Sequence, residues 1–150
     1  ELLSSYYQKE ITAMHIAVRT SLPDNPLFID GNAEQLGKTI MSLLNNGMYA
    51  IAKKYGKKAY PAEIGLALES KDGQAVIRLY DNGVGIEQSI LDKIFDPFFT
   101  TKTTGEAAGI GLYLSKEIIL NHHGQIAVRS EKDELTEFTI TLPLWEEKSV

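Results

Sequence analysis

The chain has 150 residues, enough for one domain with a sizeable hydrophobic core. Its formal charge of −5 lacks the basic stripe of a nucleic-acid module, and the absence of cysteine removes both a disulfide framework and a thiolate metal site, which favours a cytoplasmic home. No apolar run approaches the roughly 18 residues of a membrane span and no signal peptide is visible, so this fragment is not expected to be membrane-embedded.

In chain order, the pattern predicts a helix over 2–13 and a strand over 15–21. Pro23-Asp24-Asn25-Pro26 makes a turn before the short apolar stretch Leu27-Phe28-Ile29. Asn32 reads as an N-cap, with Gln35 three residues on, opening a long helix to about residue 54. Its apolar positions Leu36, Ile40, Leu43, Leu44, Gly47 and Ile51 follow helical spacing and should face a sheet. The basic cluster Lys53, Lys54, Lys57 and Lys58 reads as the solvated end of that helix. Strands over 63–69 and 74–80 follow, joined by a turn at Lys71-Asp72-Gly73. A short helix over 89–95 should stop at Asp96-Pro97, because proline disfavours helix in the residue before it. Residues 97–109 are rich in Thr and Gly without periodicity and read as a mobile loop. A helix over 110–121, with Gly124 as a left-handed cap, and strands over 125–130 and 137–142 complete the chain. The order of elements predicts an α+β fold, a two-layer α/β sandwich whose mixed sheet carries its helices on one face.

Three stretches carry chemistry. Asp81 closes an alternating strand and is followed by Gly83 and Gly85, which free the backbone to approach a flat ligand. A carboxylate only accepts hydrogen bonds, so at a pocket floor it suits adenine, which presents an amino group, and repels guanine, which presents a carbonyl oxygen. Downstream, Gly109-Ile110-Gly111-Leu112 puts a flexible loop at a helix N-terminus, where phosphates bind. Together they read as an ATP site. On the long helix, Ser42, Asn46, Tyr49 and Lys53 fall within an arc of roughly 60° beside the apolar stripe, while Asn45 points to solvent. The Asn46 amide oxygen is a hard ligand suited to magnesium, Tyr49 could stack near the base or pack, and Lys53 could meet a phosphate. Residues 31–39 imitate a P-loop, but they carry five residues between the glycines and lie inside a helical pattern, where a phosphate-cradling loop cannot form.

Asn46, Asp81-Asn82-Gly83-Val84-Gly85, Phe95-Asp96-Pro97-Phe98-Phe99-Thr100-Thr101-Lys102 and Gly109-Ile110-Gly111-Leu112 resemble, in order and spacing, the N, G1, F and G2 boxes of a known family. That family is the catalytic ATP-binding domain of bacterial sensor histidine kinases, in the gyrase, chaperone and mismatch-repair ATPase superfamily with its Bergerat-type fold. The resemblance spans about residues 24–144. It implies that Asp81 holds the adenine amino group, that Gly83, Gly85 and Ile86 line the base pocket, and that Asn46 binds magnesium. It further implies that residues 97–109 form a lid over the phosphates, that Lys102 contacts a phosphate beside Gly109, Gly111 and Leu112, and that Thr136 assists adenine binding. Asn46 and Lys102 would then be the catalytic residues and ATP with Mg2+ the cofactors.

The sequence departs from the family's pattern at Ala107, Ser42, Gly47 and Leu135, where the family carries a glycine, a longer polar or acidic side chain, an alanine and a glycine. No phosphoacceptor motif is present. His15 is expected to enter a strand, and His122 and His123 to complement a helix dipole. The acceptor histidine and dimerisation helices are therefore expected upstream. Residues 1–13 would end that upstream domain and 14–150 would form the catalytic domain, a monomer when isolated, whose parent (anchored in the inner membrane in one arrangement) serves a response regulator indirectly. Glu1 in place of methionine fits a piece of a longer protein. The alternative reading is a nucleotide-binding interaction module without phosphotransfer. A conformational ATPase is disfavoured by the lack of a carboxylate one turn before Asn46.

Overall fold

The computed structural model describes residues 2–56, 61–99 and 111–146, with side chains from residue 8 onward in the first stretch. The elements are α1 (Leu2–Ala13), β1 (Ala17–Ser21), α2 (Ala33–Tyr55), β2 (Glu63–Lys71), β3 (Gln74–Asp81), a 3-10 helix at Gln88–Lys93, α3 (Gly111–Asn121), β4 (Gln125–Glu131) and β5 (Leu135–Pro143). Helix α2 starts where the capping pattern requires: the Asn32 side-chain oxygen accepts the Gln35 N–H at 3.0 Å, satisfying one of the amides a helix start leaves unpaired. It therefore runs straight through the P-loop imitation, where Thr39 is buried and donates back to the Gln35 carbonyl at 3.2 Å.

The five strands form one sheet in the order β1-β2-β3-β5-β4, with β1 parallel to β2 and every other pair antiparallel. The β1–β2 pair is parallel because α2 carries the chain between them, whereas β2 and β3 need only the two-residue turn at Asp72 and Gly73, both left-handed. Alternation sorts the faces. Thr136, Phe138, Ile140 and Leu142 of β5 point inward with Leu79 and Asp81 of β3. The opposite face carries the ion pairs Arg19–Glu63, Arg78–Glu69 and Arg129–Glu137, each solvated enough to contribute little. The mixed sheet with helices packed on one face is the α+β sandwich the sequence predicts.

Two apolar clusters hold the layers together. Leu43 of α2 and Ile119 of α3 meet Leu79, Ile94, Phe138, Ile140 and Leu142, and burying each such side chain contributes about 1.5–3 kcal/mol. Met48 and Ile51 meet Ile16, Ala62 and Ile64, and the end of α1 rests on them through Ile11 and Met14.

Four local expectations need correction. His15 does not enter a strand: it is left-handed (φ 52°) in the turn between α1 and β1. The predicted helix over 89–95 is a 3-10 helix ending at Lys93, since a segment this short before Asp96-Pro97 cannot sustain α-helical turns. At the end of α3 the left-handed residue is His123 (φ 60°) and not Gly124. The Gly124 N–H bonds the Ile119 carbonyl and the His123 N–H the Leu120 carbonyl, which is a Schellman ending. Gly124 is needed for a different reason, because a Cβ there would collide with the Thr141 carbonyl of β5. Finally, His122 does not serve the helix dipole as a cation. Its Nε2 accepts the Asn32 N–H at 2.9 Å and its Nδ1 lies 2.7 Å from the Ile118 carbonyl, so a neutral ring ties the end of α3 to the start of α2.

The two neighbouring positions should respond oppositely in urea unfolding. Gly124→Ala is expected to destabilise by about 1–3 kcal/mol through overpacking against β5. His123→Gly is expected to stabilise by up to about 1 kcal/mol, the left-handed strain it relieves exceeding the added chain entropy.

Candidate functional site

The site is built on the end of the central strand. Asp81 is the last residue of β3, pairs with Ile64 of β2 and Thr136 of β5, and is only 6% exposed. It reaches this depth because α2 presents Gly47 to it, where even a Cβ would stand 3.3 Å from the Asp81 carboxylate. Among the described residues, the hydrogen bond to this carboxylate comes from the Gly83 N–H to Oδ1 at 2.9 Å. Loss of hydration on burial raises its pKa to about 7, against the opposing pull of the Gly83 N–H and the Lys54 ammonium. Among the described residues the second oxygen of this buried carboxylate has no hydrogen-bond partner, which leaves it an acceptor in a poorly hydrated place.

The loop after Asp81 is held from both sides. A Cβ at Gly83 would lie 2.5 Å from the Ala50 backbone, and Gly85 is left-handed (φ 67°) directly beneath the Glu131 carbonyl, so both glycines are required. The Val84 N–H bonds the Ala50 carbonyl at 3.2 Å, and the Asp133 N–H bonds the Val84 carbonyl at 2.6 Å. The Ile86 N–H donates to Ser130 Oγ at 2.8 Å, and Ser130 also meets Thr136 Oγ1 at 2.8 Å. Asn82, by contrast, faces away: its side chain bonds the Glu63 N–H and the Pro61 carbonyl and so anchors the start of β2.

Asp81, Gly83, Gly85, Ile86 and Thr136 are thus brought to one place. Asn46 and Tyr49 are half-buried and Lys53 exposed along the adjoining flank of α2, with Asn45 exposed as expected. One turn earlier on that flank, Ser42 Oγ approaches Gly111, so a Cβ at Gly111 would come within 3.0 Å of it. The flank therefore borders the N-terminal end of α3, where Gly111 is exposed and Leu112 packs against the core. Lys102, Ala107 and Gly109 lie outside the described residues, as do Lys57 and Lys58.

Two residues escaped the sequence reading. Lys54 is half-buried and more than a solvated cation: its ammonium donates to the carbonyls of Asn82 (3.2 Å) and Asp133 (2.6 Å), joining α2, the glycine loop and the β4–β5 turn. It lies one position from Lys53 in a run of lysines, so nothing local distinguished it. Ser130 is 2% exposed inside β4, and only its inward alternation with Ile126 and Val128 hinted at burial.

The chain matches the family described as histidine kinase-, DNA gyrase B-, and HSP90-like ATPase over residues 31–146. It is 34% identical over 123 residues to sporulation kinase D of Bacillus subtilis (strain 168), covering 82% of this chain and 22% of that protein. It is 39% identical over 122 residues to the signal transduction histidine-protein kinase AtoS of Escherichia coli (strain K12), covering 81% of this chain and 19% of that one. The chain therefore spans about a fifth of the length of these relatives. Among solved structures, the catalytic domain of histidine kinase ThkA superposes with a TM-score of 0.78 at 24% identity, covering 95% of this chain and 88% of that one. Full-length ShkA in complex with AMPPNP gives 0.81 at 16% identity, covering 99% and 30%. Both show the same fold. Among the described residues no helix is long and apolar enough to cross a membrane.

The buried carboxylate makes stability depend on pH. Its pKa is about 7 in the folded protein and roughly 3.9 in an unfolded chain, so the folded state holds the proton more tightly. Stability from this group is therefore greatest at low pH and falls between about pH 4 and pH 7, by roughly 4 kcal/mol in all. Asp81→Asn, which cannot ionise, is expected to raise the melting temperature of the nucleotide-free protein by several degrees at pH 8 and to change it little at pH 4. Equal effects at both pH values in thermal unfolding would show that the buried charge lies elsewhere.

Proposed function

The chain belongs to the histidine kinase-, DNA gyrase B-, and HSP90-like ATPase family as a catalytic ATP-binding domain of the sensor histidine kinase type, and on that premise we propose how its own residues hold Mg-ATP and deliver the γ-phosphate. The observation that carries the reading is the buried Asp81 carboxylate at the end of β3, with a single protein hydrogen bond among the described residues and two required glycines beside it. Asp81 accepts from the adenine 6-amino group, Gly83, Gly85 and Ile86 form the wall of the base pocket, and Thr136 assists from the neighbouring strand.

The phosphates run along the α2 flank toward the start of α3. Gly111 and Leu112 offer the helix N-terminus to them, with Gly109 and Lys102 contributing from outside the described residues and Lys53 and Tyr49 from α2. Asn46 fits magnesium as a single hard oxygen donor on that flank, which suits an ion that keeps its waters and bridges phosphates. Bound there, the ion would neutralise phosphate charge as the γ-phosphoryl group leaves. The protein's task in such a transfer is positioning and charge neutralisation.

The acceptor is a histidine on an upstream helical dimerisation domain. Residues 1–13 form the end of that domain, 14–150 the catalytic domain, and a response regulator receives the phosphate afterwards, all on the cytoplasmic side. The histidines of this chain support an external acceptor. His15 and His123 sit in left-handed turns, and both ring nitrogens of His122 face hydrogen-bond partners. His15 and His123 are exposed but lie in turns, whereas an acceptor needs a place on an exposed helix with a neighbouring base for its proton. The same feature would suit a nucleotide-binding module that transfers nothing, which is the second reading.

The isolated chain is expected to bind ATP with a preference over GTP and to incorporate no phosphate itself. Mixed with the parent's upstream helical domain, it should transfer phosphate to that domain's histidine, and Asn46→Asp should abolish most of the transfer. Asp81→Asn should weaken ADP binding about tenfold, or about 1.4 kcal/mol, by calorimetry. Acid-labile label on the isolated chain would place the acceptor within it. Intact ATP binding with no transfer in trans would favour the binding module.

A further inference from the structure

We propose that Ser130 is a positioning residue of the base pocket: it fixes the direction of the Thr136 hydroxyl proton, so that the pocket floor presents acceptors alone and selects a base carrying an exocyclic amino group. The inference rests on the adenine reading above and assigns a role to a side chain that does not touch the ligand.

A serine hydroxyl has one proton and two lone pairs. Ser130 Oγ makes three short contacts: the Ile86 N–H at 2.8 Å, the Leu135 carbonyl at 2.7 Å and Thr136 Oγ1 at 2.8 Å. The Ile86 amide can only donate and the Leu135 carbonyl can only accept. Ser130 must therefore spend its single proton on Leu135, and the third contact is satisfied only if Thr136 donates to Ser130. Both hydroxyls are buried, Ser130 at 2% and Thr136 at 4% exposed, so water does not compete for these protons. The Gln88 side chain further holds this stretch of β4 by donating to the Ser130 carbonyl at 2.7 Å.

With its proton committed, Thr136 keeps only lone pairs for anything else. Thr136 stands directly opposite Asp81 in the β3–β5 ladder, and residues so paired have side chains on the same face within about 5.5 Å at Cβ. Two acceptors then flank one spot. An amino group offers them donors, whereas a 6-oxo base sets its oxygen against both, leaving buried polar groups unpaired. Freed from Ser130, the Thr136 hydroxyl could turn its proton toward such an oxygen and soften the rejection.

Calorimetry with ADP and IDP tests this at pH 8, IDP carrying a 6-oxygen and a proton on N1 in place of the amino group. The wild type is expected to prefer ADP on the order of a hundredfold or more, as sites with buried polar groups do. Ser130→Ala is expected to narrow that ratio about tenfold, and Ser130→Thr, which keeps a hydroxyl, to preserve it. A folded Ser130→Ala protein whose ratio is unchanged, even with a lower melting temperature, overturns the proposal, since a merely structural role would weaken both nucleotides alike. If Ser130→Ala does not fold, Thr136→Val decides: a narrowed ratio supports the proposal and an unchanged one overturns it. A wild type that binds ADP and IDP equally overturns the adenine reading and this inference together. A selective wild type with unaltered variants overturns this inference alone.

Discussion

A carboxylate buried at the end of a central strand is the constraint around which this molecule is arranged. Asp81 lies against α2 and between β2 and β5, where its charge is poorly hydrated and its pKa climbs to about 7. Everything near it either permits that depth or limits its cost. Gly47 leaves room on α2, the Gly83 amide donates to the carboxylate, and the Lys54 ammonium supplies an opposing charge. A donor reaching such a poorly hydrated carboxylate would stabilise its charge, so the cost of burying Asp81 and the affinity of the proposed site share a cause.

The same depth explains why the chain after Asp81 is clamped and not left as a free loop. Ala50 and Lys54 hold it from the helix layer, and Asp133 and Ser130 hold it from the β4–β5 hairpin. The Lys132–Glu87 ion pair crosses the same gap at 2.7 Å but is exposed, and its work is small beside the buried contacts. Three segments distant in sequence thus fix the short loop after Asp81. The proposed base site depends on this rigidity, because a wall free to move by an ångström would accept the wrong hydrogen-bonding pattern.

A second tie operates at the far end of the helix layer. His122 links the end of α3 to the start of α2 through a neutral imidazole, with Gly31 close against the ring, where a Cβ would lie 2.6 Å from it. Helix α3 is therefore registered on α2 at its C-terminal end by His122 and at its N-terminal end by the approach of Gly111 to Ser42, midway along α2. The second approach borders the flank that carries Asn46, so the helices that would share the phosphates are set against each other by contacts at both ends of α3.

The local signals were legible in the sequence alone. The Asn32 cap, the periodicity of α2, the tight turn at Asp72-Gly73 and the alternation of β3 and β5 each depend on a few adjacent residues, and each lies where the pattern put it. The run proposed for the base pocket, Asp81, Gly83 and Gly85, was visible for the same reason, since its members lie within five residues. What tertiary structure alone decided were the partners brought in from far along the chain. A lysine in a basic run, Lys54, turns out to hold two carbonyls across the pocket wall, and an ordinary strand serine, Ser130, sits at the crossing of three hydrogen bonds. His122 became a staple between α3 and α2, and His123 took the left-handed position expected of Gly124, whose missing side chain instead lets β5 run close to it. Periodicity and propensity report how a segment folds on itself, whereas burial and proton partners depend on which distant segment arrives beside it, and that is settled only when the layers close.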